Sequence, residues 1–286
     1  MTKCLVVFFS QGGTTRRIAE SIAKGIRSGD IDVNLFNIKD GQLPDLKKYD
    51  VLGIGSPTYY FRPPFIVSDC LDNLPDLSGK KVFTFILHGT YPGDAGNRVR
   101  RALKNKGGSE IGYSRYYGAD YFLGYVKQGY LFSPDQPKPE KIGEAEQFGR
   151  ELAARVAGKP YTQQDYDPAP AVIYRLQRVL LSRFLIRHQY SRLFGADKKA
   201  CSACGLCMKL CPTQNIRADV SGRPVWGRNC MLCFSCEMKC PKDAIKAPVT
   251  WFLFWPSMFY NTRKAAHDPS IAFARVTHRS GKTNIL

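Results

Sequence analysis

Short apolar runs alternate with longer stretches of helical period through the first 158 residues. Lys3–Phe9, Val33–Asn37, Val51–Gly55 and Lys81–Leu87 are compact, β-rich runs. Between them apolar positions recur at helical spacing, which predicts helices over Thr15–Ile26, about Phe65–Leu74, and Gly96–Lys106. A further helix, Pro139–Val156, meets a stop signal at Gly158 and Pro160. Strands that are apolar on both faces, alternating with helices, predict an α/β fold with a doubly wound parallel sheet. Gly112–Pro134, with six tyrosines, reads either as a fifth strand with an aromatic insertion near the ligand edge or as a packed edge strand.

Beyond this unit the pattern changes. Residues 157–170 are rich in Pro and turn formers and read as a linker. Val172–Phe194 then carries apolar residues at 172, 173, 176, 179, 180, 184, 185 and 186, with Arg at 175, 178, 183, 187 and 192. That is a basic amphipathic helix. Its bland reading is a bridge that packs its apolar stripe and solvates its arginines; its functional reading is contact with an anionic membrane surface or an acidic protein. The chain thus divides into 1–158, a linker and basic helix at 159–195, a cysteine-dense unit at 196–250, and a C-terminal extension at 251–286.

The first strand ends in Ser10-Gln11-Gly12-Gly13-Thr14-Thr15 and runs straight into a helix. Backbone N–H groups at a helix start, aided by the macrodipole, suit a phosphate. Neither GxGxxG nor GxxxxGK[ST] is present, which removes the dinucleotide and P-loop readings. The third strand ends in Gly55-Ser56-Pro57-Thr58-Tyr59-Tyr60-Phe61, with aromatic faces for a flat ring and backbone groups for its polar edge. The fourth ends in His88-Gly89-Thr90-Tyr91-Pro92-Gly93-Asp94. These loops resemble the phosphate loop and the two ring-flanking loops of flavodoxins, although Gly12 and Thr14 stand where that family more often has Thr and Asn. The resemblance implies FMN held by Ser10 to Thr15, Ser56 to Phe61, and His88 to Tyr91 with Gly93 and Asp94. His88 is read equally well as a hydrogen-bonded structural residue, and no catalytic residue is assigned.

Eight of the ten cysteines lie between Cys201 and Cys240. Cys201, Cys204, Cys207 and Cys211 precede Pro212, and the same spacing recurs at Cys230, Cys233, Cys236 and Cys240 before Pro241, an offset of 29. This is the bacterial ferredoxin pattern for two 4Fe–4S clusters, in which the fourth Cys of each run ligates the other cluster. One cluster then uses Cys201, Cys204, Cys207 and Cys240, and the other Cys230, Cys233, Cys236 and Cys211. Zinc ribbons use two separated CxxC pairs, and disulfides need an oxidising compartment. Ile216–Trp226 reads as a hairpin turning at Ser221-Gly222, with Trp226 shielding a cluster. Trp251–Tyr260 is an aromatic run expected to cover a cluster or brace the domains, and the last 25 or so residues show no clear pattern. Cys4 and Cys70 read as small buried residues.

Charge comes last because the cofactors change its meaning. The net charge is +18, with 42 Lys+Arg against 24 Asp+Glu, and residues 161–286 contribute 19 basic and 7 acidic side chains, or +12. Two clusters at about −2 each and FMN at about −2 would lower the total to roughly +12. The excess is therefore assigned to the cofactors and an acidic redox partner rather than to nucleic acid. The N-terminus reads as a first strand without a cleavage site, which places the chain in the cytoplasm. As a whole the chain is similar to proteins of anaerobes that fuse a flavodoxin domain to a two-cluster ferredoxin domain of α+β type. That resemblance implies electron transfer; the alternative is a self-contained FMN-dependent reductase of a small quinone-like or unsaturated compound.

Overall fold

The computed structural model describes residues 1–248 and 254–286. Its elements run β1 (Lys3–Phe8), α1 (Thr14–Arg27), β2 (Asp32–Asn37), β3 (Val51–Pro57), α2 (Phe65–Asp72), β4 (Lys81–His88), α3 (Ala95–Asn105) and β5 (Ser109–Tyr117). Next come α4 (Leu123–Val126), β6 (Tyr130–Phe132), α5 (Pro139–Val156), α6 (Val172–Leu180), α7 (Arg183–His188) and β7 (Gly195–Ala196). The rest are α8 (Leu206–Leu210), β8 (Ile216–Ala218), β9 (Pro224–Trp226), α9 (Ser235–Met238), β10 (Ile245–Lys246), α10 (Trp255–Ala266), β11 (Phe273–Arg279) and β12 (Lys282–Ile285). They form two compact units, one of residues 1–119 and 135–174, the other of residues 120–134 and 175–286.

In the first unit the sheet order is β2-β1-β3-β4-β5, parallel throughout. This is the doubly wound order whose strand direction of growth reverses between β1 and β3, the point where such sheets bind ligands. Cys4, Val6 and Phe8 on one pleat face join Ile18 and Ile22 of α1 and Phe148 and Leu152 of α5 in one core. The two helices meet backbone to backbone: a Cβ on Gly25 would lie 2.0 Å from Glu146 O, and one on Gly149 would lie 2.1 Å from Ile22 O. Only glycine permits that approach.

The segment expected to be a loose linker is fastened. The buried Arg100 guanidinium makes a two-pronged pair with Glu110 (2.8 and 2.9 Å) and donates to the carbonyls of Asp165 (2.9 Å) and Gln164 (2.5 Å). It also lies between the Tyr113 and Tyr166 rings, 4.7 and 4.6 Å from their centroids. Asn97 bonds the Asp167 backbone on both sides at 2.8 Å. Residues 161–167 form a strap because one buried cation needs those carbonyls.

The second unit differs from the sequence reading in several ways. Residues 120–134 belong here, with β6 in a three-stranded antiparallel sheet of order β12-β11-β6. The C-terminal extension supplies β11 and β12, joined by Ser280-Gly281 with φ of +52° and +74°, the geometry of a type I′ hairpin turn. The basic segment is not one helix. It breaks after α6, where Ser182 caps α7 by accepting from Leu185 N–H (3.4 Å). Its polar Gln177 is buried, while Leu176, Val179 and Leu180 are exposed. The apolar stripe therefore faces outward, against the packed-bridge reading. Of the aromatic run, residues 251–253 lie outside the described residues. Trp255, Phe259 and Tyr260 are exposed, whereas Met258 is buried and Phe254 packs edge to face on Tyr190. The hairpin expected between the cysteine runs is present as β8 and β9.

Candidate functional sites

The flavin candidates gather at the β1/β3 edge of the first unit. Ser10 is buried, its Oγ accepts from Arg16 N–H (3.2 Å), and its backbone is held on both sides by Asn37, at 3.2 and 3.0 Å. Gly13 takes φ +91° to turn the chain into α1. A Cβ on Gly12 or Gly13 would meet nothing within 4 Å, so the concave side of this loop is open to a ligand. A helix leaves its first N–H groups without an intrahelical acceptor; here Ser10 Oγ takes that of Arg16, and those of the Gly13–Thr15 turn are the ones available to a phosphate. Thr14 is half-buried, whereas Thr15 lies on the buried stripe of α1 with Ile18 and Ile22.

The second loop is a tight turn. Tyr59 and Arg62 exchange backbone bonds at 2.9 and 3.1 Å, and Tyr60 and Phe61 between them have φ of +52° and +62°. That is a type I′ turn, a position usually given to Asn-Gly. Two bulky aromatics held there are strained, and strain of this kind collects at ligand sites. The third loop locks the turn. Asp94 N–H donates to Phe61 O (3.2 Å), and a Cβ on Gly93 (φ +59°) would come within 2.2 Å of that same oxygen. Tyr59 OH donates to Gln11 Oε1 (3.2 Å), Thr58 N–H to Leu87 O (2.7 Å), and Thr58 Oγ1 to Pro92 O (3.5 Å). Ser56 is fully buried and its hydroxyl donates to Pro57 O (2.8 Å). All three loops are thus brought together as the sequence proposes.

His88 is buried against Tyr117, with Nδ1 3.1 Å from Thr90 O. A carbonyl only accepts, so Nδ1 carries the proton. Burial lowers its pKa to about 4, nearby Arg115 adds to that, and the Thr90 bond opposes it. The ring is neutral near pH 7. Asp94 is engaged by Arg98 at 2.9 Å. Gly89 and Tyr91 are half-buried beside buried Thr90.

Two residues escaped the sequence reading. Asn37 is a single polar residue at a strand end, which pattern alone does not distinguish. Tyr174 stacks on Phe61 with centroids 4.1 Å apart and lies 5.8 Å from Tyr91. Its signal was an aromatic in an otherwise aliphatic and basic run.

In the second unit the 29-residue offset extends from sequence into backbone. Ala203 and Leu232, Gly205 and Phe234, and Gln214 and Asp243 all have positive φ, pair by pair. Asn215 N–H donates to Cys211 Sγ and Ala244 N–H to Cys240 Sγ, each at 3.3 Å. Leu232 N–H donates to Cys230 Sγ, also at 3.3 Å. Five of these six left-handed residues are not glycine, so the loops are curled for their sulfurs rather than by residue preference.

Burial raises the Cys230 thiol to about 12, and neighbouring Cys233 and Cys211 push the same way. Cys236 is raised well above its ordinary value by burial first, then by Cys233, Cys230 and Cys211, with Trp226 beside it acting in the opposite direction. Cys207 is raised by burial, with Cys204 and Cys201 adding to the rise. Cys211 therefore stands with Cys230, Cys233 and Cys236, and Cys201 and Cys204 stand with Cys207. Among the described residues no three Cys, His, Asp or Glu side chains converge tightly enough to hold a bare ion. Buried thiols crowded together ionise only against a strong positive centre, and this donor set fits iron–sulfur ligation. Cys4 and Cys70 stand apart, raised to about 12 and about 11, both by burial first.

A doubly wound sheet with three converging edge loops and a duplicated thiolate frame, carried on one chain, indicate an electron-transfer protein of the flavin and iron–sulfur class. Residues 5–120 match the flavodoxin domain family and residues 194–241 the 4Fe–4S dicluster domain family. Together these two matches support a fusion of a flavodoxin-like region with a 4Fe–4S dicluster region. It is 37% identical over 92 residues to a flavodoxin of Maridesulfovibrio salexigens, spanning 30% of this chain and 62% of that protein. It is 29% identical over 168 residues to a flavodoxin of Aquifex aeolicus, spanning 55% and 88%. Among solved structures, an archaeal flavodoxin aligns with a TM-score of 0.44 at 22% identity, covering 55% of this chain and 99% of that one. The flavodoxin domain implies FMN, and the dicluster domain implies iron–sulfur clusters.

Proposed function

We propose that the chain passes electrons between two 4Fe–4S clusters and FMN, and on to or from a partner enzyme. The observation that carries this reading is Cys211 standing with the thiols of the other run, on the same polypeptide as three converging flavin loops. One cluster would take Cys201, Cys204, Cys207 and Cys240, the other Cys230, Cys233, Cys236 and Cys211. Ser10 to Thr14 would hold the FMN phosphate, and Tyr59, Tyr60, Phe61 and Tyr91 would flank the ring. FMN exchanges one or two electrons and each cluster one, so the chain would convert between paired and single electrons. His88 supports a carrier over a substrate reductase, since it is neutral and its only N–H is spent on Thr90. The positive second half of the chain favours an acidic partner protein in the cytoplasm.

The test is anaerobic reduction of the loaded protein by a one-electron donor, followed by flavin absorbance and cluster paramagnetic resonance. In the wild type the flavin bleaches as the clusters are reduced. In Cys211→Ser, flavin reduction slows by roughly tenfold or more. An unchanged rate would remove the clusters from the path.

A further inference from the structure

Helix α6 is inside out. It buries Gln177, 6% exposed, and presents Leu176, Val179 and Leu180 at 58, 65 and 54% exposure. Phe184 of α7 continues the run at 66%. Rotation about the helix axis would bury this stripe, and a specific contact prevents it. Gln177 Nε2 donates to Asn261 Oδ1 (3.3 Å) and Asn261 Nδ2 donates back to Gln177 Oε1 (3.1 Å), so a reciprocal amide pair fastens α6 to α10. The outward apolar face is therefore specified by the fold. Helix α10 adds exposed Trp255, Phe259 and Tyr260, with the Arg263 guanidinium 5.7 Å from the Phe259 centroid.

The charge along the segments that carry this face has one sign. No acidic residue occurs between Asp167 and Asp197, a stretch holding five arginines, nor between Asp243 and Asp268, which holds Lys246, Arg263 and Lys264. Exposed apolar side chains on segments whose only charges are cationic, with Trp and Tyr among them, complement an anionic lipid surface. No described helix is long and apolar enough to cross a membrane, so the contact is with the surface.

We propose that α6, α7 and α10 form a face that lies in the interface of an anionic phospholipid bilayer. Leu176, Val179, Leu180 and Phe184 would enter the acyl boundary, while Arg175 and Arg263 meet headgroup phosphates. The test uses the full chain with its cofactors, purified anaerobically and sedimented with vesicles of phosphatidylcholine alone or with added phosphatidylglycerol. Binding is expected to be roughly tenfold or more stronger with phosphatidylglycerol and to weaken with salt. Leu180→Glu with Phe184→Glu should lower it at least about tenfold, and Arg175→Glu with Arg263→Glu by a similar factor, with flavin and cluster spectra unchanged. The proposal is overturned if the wild type does not pellet with phosphatidylglycerol vesicles, or if both double variants bind like it. It is equally overturned if light scattering shows a dimer that the Leu180 and Phe184 changes dissociate, since a second copy would then cover the face.

Discussion

The two units prepare for their cofactors by opposite physical routes. In the first, the ligand loops are the rim of a large parallel sheet whose core of Val6, Phe8, Ile22 and Phe148 is complete without the ligand. In the second, strands β7 to β10 have two or three residues and helices α8 and α9 have five and four, so the cysteine frame rests on short elements around a small core that includes Ile216, Met231, Leu232, Phe234 and Ile245. Its thiols, the proposed ligands, are half-buried for the most part, with Cys236 buried and Cys204 exposed. A site mounted on a large core survives the loss of its ligand, whereas a site held on short elements does not.

The largest effect should come from stripping the iron. Chelation with oxidation should make residues 195–246 sensitive to protease while the parallel sheet keeps its far-UV signal and its FMN. Resistance of the cysteine region after iron loss would erase the contrast. Next is Arg100→Met, which leaves Glu110 buried without its cation and frees the 161–167 strap. Chemical denaturation should show a loss of about 3–5 kcal/mol confined to the first unit, with cluster content unchanged.

Gly93→Ala sharpens the same point at the loop rim. Its Cβ would strike Phe61 O, so the Tyr60-Phe61 turn must give way at a cost of about 2–4 kcal/mol. Calorimetry should find FMN binding weakened about tenfold or more, with the sheet still folded. The smallest effect is a pH dependence. His88 has a folded pKa of about 4, below its ordinary 6.5. Between those values the unfolded chain binds the extra proton, so this group's stabilisation is complete above pH 6.5 and is lost as pH falls toward 4. The loss is at most about 3 kcal/mol. Urea unfolding of wild type against His88→Gln across that window should show a steeper slope in the wild type.

Much of this was legible from residue pattern. Apolar runs such as Val51–Gly55 could satisfy both faces only inside a parallel sheet, and the cysteine spacing left few chemistries. The partners of residues 120–134 were not legible, because Tyr130–Phe132 pairs with Phe273–Arg275 across some 140 residues and local pattern carries no register at that range. The Ser280-Gly281 hairpin was missed: its turn pair was present, but no pattern was read in the last 25 or so residues. The orientation of α6 was beyond reach for a different reason. Periodicity shows that a stripe exists, but it takes contacts such as the Gln177–Asn261 pair and the Tyr174–Phe61 stack to tell which side faces in. Likewise the Arg100 strap depends on carbonyls at 164 and 165, which no side-chain pattern reports.

The central claim is that one chain holds a flavin on a preformed rim and two clusters on interleaved thiolates. Anaerobic purification followed by metal, sulfide and flavin analysis tests it most directly. The account predicts about eight irons, about eight sulfides and one FMN per chain. Zinc in place of iron, about four irons, or no flavin would contradict it.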